Sequence, residues 1–193
     1  MVNFNNFRTL DPESADLARE LIEAADRQRS DFFSFVSVWM AFNGWMECVT
    51  GADSDAYMIR ALTEHQRLSD AYIGLMESAA DFRNSVNAFA TKWPVLNVRD
   101  VRRKLGRDAF LRFSREELMN EVVREGVKHQ PVEWRSGDMP TWPQLLRTMY
   151  CVRCNLFHGS KSPQNHGDHE LIVSCNCILR MFIELTGCFN WHD

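Results

Sequence analysis

Glycine and proline are scarce in this chain of 193 residues, at 9 and 6. That scarcity excludes a loop-rich β-sandwich and a low-complexity chain. Cysteine, at six, is too sparse for a disulfide scaffold. There is no excess of positive charge: 22 Lys and Arg stand against 26 Asp and Glu, for a net charge of −4. A uniformly basic nucleic-acid binder is thereby excluded, while a local basic patch is not. Long apolar runs are missing as well. The longest uncharged stretch, Phe32 to Met46, covers 15 residues and holds Ser34, Ser37, Asn43 and Gly44, too short and too polar to span a bilayer. The opening residues show no basic region followed by an apolar run, so no signal peptide is expected. Together these features predict a cytoplasmic protein with reduced thiols and no membrane partner.

What is present is the composition of a packed domain. Hydrophobic residues make up 45% and charged residues 25%, with 6 Trp and 13 Phe to fill a core. A chain of this length buries roughly 70% of its unfolded surface and needs no metal or disulfide for stability. One domain over 1–193 is the expectation, with no internal repeat or linker.

The dominant periodicity is helical. Asp11-Pro12 is a start signal, with Asp as cap and Pro at the first helical position. Leu17, Leu21, Ile22 and Ala25 then share a face. A second helix is predicted from Ser30 to Thr50, ending at Gly51. It is apolar nearly all round, hence central. A third segment runs from Asp55 to Thr63, and a fourth from Ser69 to Ala90, stopped by Trp93-Pro94. Asn97 to Leu105 follows, closed by Gly106. Ser114 with Glu117 forms a capping-box pattern for a helix to Val123. Lys128 to Pro140 carries no period and reads as a loop. Thr141-Trp142-Pro143 opens an apolar helix ending at His158-Gly159, with Gly past its end. Asp168 is the expected cap of a last helix, closing at Gly187. No alternating run is long enough for a sheet strand. The fold class is all-α: helices packed up and down, with a helical insertion over 93–140.

One stretch carries chemistry: Tyr150-Cys151-Val152-Arg153-Cys154-Asn155-Leu156-Phe157-His158-Gly159-Ser160-Lys161. It sets Arg, Asn and His late in an apolar helix, where polar groups have to be satisfied or used. His158 at a helix C-terminus is favoured as imidazolium, the form a general acid needs. Asn155 is three residues before it, on a neighbouring face, where it can orient the imidazole or meet a ligand. Arg153 and His158 lie roughly 140° apart on a regular helix, so a shared site requires a distorted last turn or two chains meeting. Arg offers a planar fork to phosphate oxygens, and His moves a proton to or from a hydroxyl. The plain alternative is a capping His and a helix-clamping Arg.

Arg153 and His158 with four residues between, set in Tyr150-x-x-Arg-x-Asn-Leu-Phe-His-Gly-x-Lys161, resemble the HEPN superfamily of nucleotide-binding helical domains. Trp39-Met40-Ala41-Phe42-Asn43 is similar to a Trp-x-Ala-Phe-Asn run on an early helix of such families. The likeness covers Trp142 to Leu185 and Phe32 to Trp45, and is absent from Trp93 to Pro140. It implies a four- to five-helix up-and-down bundle, dimerising so that two Arg/His pairs line one cleft. It also implies a metal-independent endoribonuclease, with attack of a ribose 2′-OH on the adjacent phosphate leaving a cyclic phosphate. By that resemblance Arg153 stabilises the phosphorane and His158 does acid–base work. Asn155, Cys154, Lys161, Asn43 and Tyr150 are the supporting residues it implies. Many relatives are toxins or phage-defence effectors, so RNA, an antitoxin and a second copy of the chain are the expected partners; other relatives bind nucleotides or serve as scaffolds. Two positions depart from active members: Cys154 follows the Arg where Asn, Asp or His is common, and Ser160 stands where one branch has Tyr.

Other features have their own readings. Cys151, Cys154, Cys175 and Cys177, with His158, His166 and His169, suggest zinc by spacing. Their helical setting argues against it: Cys175 and Cys177 point about 160° apart. No metal and no cofactor is therefore assigned. Eight basic residues between Lys92 and Arg115, among them Arg99, Arg102, Arg103, Lys104 and Arg107, face only Asp100 and Asp108. They read as an RNA-backbone contact or as a solvated face. Trp134, in the Pro/Gly loop, is the candidate for an exposed stacking contact. Asn43 is a helix-to-helix hydrogen-bonder or a site residue, and Lys161 a solvated lysine or a phosphate contact.

Overall fold

The computed structural model describes residues 1–157 and 166–193, and the chain there is mostly helical. A short α1 (Asn6–Thr9) leads into α2 (Pro12–Asp26), which has Pro12 at its first turn. The central helix is α3 (Asp31–Thr50), ended by Gly51 in the left-handed conformation that favours glycine (φ 61°). It buries Phe35, Trp39, Phe42, Trp45 and Met46 against α2 on one side and the closing helix on another. That is why it is apolar all round. Next comes α4 (Asp55–Thr63), with the bounds expected from the sequence.

The expected helix from Ser69 to Ala90 is two helices, α5 (Gln66–Ser78) and α6 (Ala80–Ala90). Ala79 is extended (φ −108°, ψ 97°) and breaks the run. Arg83 on α6 folds back and donates to the carbonyls of Met76 and Glu77 at 2.9 and 3.1 Å. It satisfies carbonyls that the end of α5 leaves open.

Sheet structure is present, against the sequence reading, but minimal. β1 (Val95–Leu96) pairs antiparallel with β2 (His129–Gln130), Val95 opposite Gln130. Strands of two residues carry no periodicity to read. Between them lie α7 (Val98–Leu105), α8 (Ala109–Arg112) and α9 (Arg115–Arg124). The Ser114–Glu117 capping box is formed from both sides, at 3.3 and 2.8 Å. Val101, Leu105, Ala109, Leu118, Val122 and Val127 make a small core of their own. Asp100, 5% exposed, ties this unit together. Its carboxylate accepts from the Lys128 N–H at 2.8 Å and pairs with Arg103.

The chain returns through α10 (Trp142–Phe157) and α11 (His166–Thr186). Trp142 stacks on Phe182 at 4.5 Å and donates from Nε1 to the Leu62 carbonyl at 2.9 Å. The last helix begins at His166, so Asp168 lies in its first turn instead of capping it. Residues 168–190 are long and apolar enough to cross a membrane by length and composition. In this fold Ile172, Cys175, Ile178, Leu179 and Phe182 are buried, with α11 packed against α3 and α6.

Candidate functional site

Arg153 sits in the last turn and a half of α10, its side chain 23% exposed. Its Nη1 donates to the Asp55 carboxylate, on the first residue of α4, at 2.7 Å. The guanidinium carbon stands 4.8 Å from the Phe157 ring centre and 5.9 Å from that of Tyr150. Aromatic faces attract the cation and partly desolvate it. Asp55 was not among the residues singled out from the sequence. Its pairing with Arg153 spans 98 positions, and locally it reads only as a helix start.

Tyr150 lies between Arg153 and α3, its ring stacked on Trp39 at 6.3 Å. Burial, and after it the neighbouring Cys154 thiol, push the Tyr150 phenol above its ordinary pKa. Cys154 is half-buried and is engaged with Tyr150. Asn43 is one helical turn beyond Trp39 on α3. Its Oδ1 is buried with no hydrogen-bond partner among the described residues, and the same holds for Trp39 Nε1 and Arg153 Nε. The helix-to-helix hydrogen bond open to Asn43 is therefore not made through that oxygen.

Asn155 has a different setting from the one anticipated. It is 2% exposed. Its Oδ1 accepts from the Val98 N–H at 2.9 Å, and its Nδ2 donates to the Leu96 carbonyl at 2.8 Å. It pins the β1–α7 segment to α10 and points away from a ligand role. Cys151 reaches the same segment, 3.7 Å from the Val95 carbonyl. His158 and Lys161 lie outside the described residues, as does the expected helix end at Gly159.

The basic segment is largely engaged. Arg103 pairs with Asp100; Lys104 donates to the Glu125 and Gly126 carbonyls at 2.9 and 2.7 Å, capping the end of α9. Lys92 meets Glu170 at 3.0 Å, Arg112 donates to the Leu105 carbonyl at 2.8 Å, and Arg102 has a partner as well. Arg99 and Arg107 are exposed without an ion pair among the described residues. Trp134 is not an exposed platform: it is half-buried, edge-on to Trp93 at 4.8 Å.

Among the described residues, no group of three His, Cys, Asp or Glu is placed to hold a metal ion. Cys175 is buried and Cys177 exposed on opposite sides of α11. No protein-family model, no curated protein and no solved structure matches the chain.

Proposed function

We propose that the protein is a metal-independent endoribonuclease of HEPN type. In this reading α2, α3, α10 and α11 belong to the family bundle, 93–140 is an insertion in it, and two copies meet so that Arg153 and His158 line one cleft. The observation that carries the reading is the setting of Arg153. A partly buried guanidinium is held by the Asp55 carboxylate between the Phe157 and Tyr150 rings, with no hydrogen bond to its Nε among the described residues. A buried polar atom without a partner costs roughly 1–3 kcal/mol, so an unpartnered Nε on this guanidinium asks for an explanation. In this reading a phosphate oxygen is the acceptor that the Arg153 guanidinium holds. Asp55 gives Arg153 the polar support that Cys154 does not.

In the proposed reaction His158 moves the proton of the ribose 2′-OH, or returns one to the leaving 5′-oxygen. Arg153 holds the charge that develops on the phosphorane. The test is incubation with RNA in EDTA. Wild type is expected to cleave; Arg153→Ala and His158→Ala, folded as judged by circular dichroism, are expected to lose at least a hundredfold in rate. Cleavage that survives both substitutions defeats the proposal.

The second reading is a binding module without catalysis, for a nucleotide or a protein. The Arg153–Asp55 pair favours it, since a neutralised guanidinium attracts phosphate less strongly. Tight nucleotide binding without turnover is its signature.

A further inference from the structure

Helix α10 is a core helix. Among its described residues only Arg147 and Phe157 are exposed. Arg147 is charged, and solvent is its ordinary place. Phe157 is 48% exposed, at the end of the helix that carries Arg153. A single exposed apolar residue is common on a protein surface. What sets this ring apart is its neighbour. Arg153 is four residues earlier, on the same helical face. Its guanidinium carbon lies over the Phe157 ring, 4.8 Å from the centre. The exposed ring therefore abuts the one group to which a phosphate is assigned above.

Two rings meet this guanidinium, and they differ in what they have left to offer. Tyr150 is half-buried and stacked on Trp39 at 6.3 Å, so its ring is already engaged. Phe157 keeps about half of its surface free, with the cation on one side. A nucleotide carries its base one sugar away from its phosphate. A phosphate on Arg153 thus brings a base within reach of the ring that the same guanidinium touches. Bases stack on aromatic side chains whatever their identity, because every base has a π face.

We propose that Phe157 is the platform on which the base next to the Arg153-bound phosphate stacks. The proposal rests on the reading of Arg153 as a phosphate ligand and adds the second contact of a nucleotide. Inorganic phosphate or a protein carboxylate makes the first contact without the second, so the pair of residues favours a nucleotide over both. The ring registers that a base is present, not which base it is.

The experiment uses the full chain and two labelled decamers, read by fluorescence anisotropy. One is 2′-deoxyuridine throughout, which lacks the attacking hydroxyl and stays intact. The other is abasic, with the same phosphates. Wild type is expected to bind the base-bearing decamer about tenfold tighter than the abasic one. Phe157→Leu changes an exposed side chain and leaves the core filled; it is expected to lose that preference, and Phe157→Trp to keep it. A ring that only steadies Arg153 predicts instead that Phe157→Leu weakens both decamers by the same factor, which overturns the proposal. So does a wild type without preference for the base-bearing decamer. A fall in mass on Phe157→Leu, by light scattering, overturns it too, since the ring then covers a second copy. Cleavage of RNA in EDTA reports separately on the nuclease reading. Cleavage without a base preference sinks the role of Phe157 alone; a base preference without cleavage supports Phe157 and sinks the nuclease.

Discussion

Two polar residues two positions apart on α10 face opposite tasks. Asn155 is fully used by backbone groups of another segment, while Arg153 keeps an Nε donor with no partner among the described residues. The first is structural, and its removal strands two buried backbone partners. Asn155→Ala is expected to cost about 2–4 kcal/mol in urea unfolding, from the lost bonds and the unsatisfied Val98 N–H and Leu96 carbonyl. The second is the proposed functional residue. Asp55→Asn keeps the shape of its partner and removes the charge. It is expected to cost about 1–3 kcal/mol of stability, as for a charge-assisted hydrogen bond of a partly buried pair. It is also expected to lower RNA cleavage at least tenfold, because Arg153 loses its fixed orientation. Unchanged cleavage in that variant would mean that Asp55 does not position Arg153. Asp55 itself was not legible beforehand. An ion pair between distant helices leaves no local mark, whereas the Arg153 string is local and stands out by its polarity.

At the scale of elements, what was legible is what is decided locally. Ser114 with Glu117, Gly51 and Gly187 fix helix ends by contacts within four residues, and each end falls where the sequence puts it. The break at Ala79 is decided by Arg83 reaching back to α5, and no glycine or proline signals it. Trp134 gave the same difficulty: its loop looked exposed, but its partner Trp93 is 41 positions away. The unit α7–α9 rests on Asp100, and this has a consequence for pH. Burial opposes the charged form, but the Lys128 N–H, Arg103 and Lys104 outweigh it and hold the carboxyl below its usual value. A depressed pKa contributes stability that is present above the unfolded value, ~3.9, and is lost as pH falls through the folded value. Amide exchange over 98–127 should therefore accelerate below about pH 4 before exchange in α3 does. Asp100→Asn should show the faster exchange already at pH 7. Exchange that rises in both regions together would contradict this.

The whole molecule joins a large core around α3 and α11 to a small one around α7 and α9. The joint is made by the β1–β2 ribbon and by Asn155. The helical class was legible because α3, α10 and α11 are long and periodic. The small core was not, since its helices are short and its strands have two residues each. Arg153 alone offers a phosphate one fork, and the proposed cleft takes a second from another copy. Light scattering is therefore expected to give twice the 22.5 kDa chain mass at micromolar concentration. A monomer that cleaves RNA would remove the shared cleft from the account and leave the chemistry. The chemistry has its own most direct measurement, the ends of the RNA products made by wild-type protein in EDTA. Attack by the 2′-OH predicts 2′,3′-cyclic phosphate and 5′-hydroxyl ends. Ends bearing a 3′-hydroxyl, or no products from folded protein on varied RNAs, would contradict it.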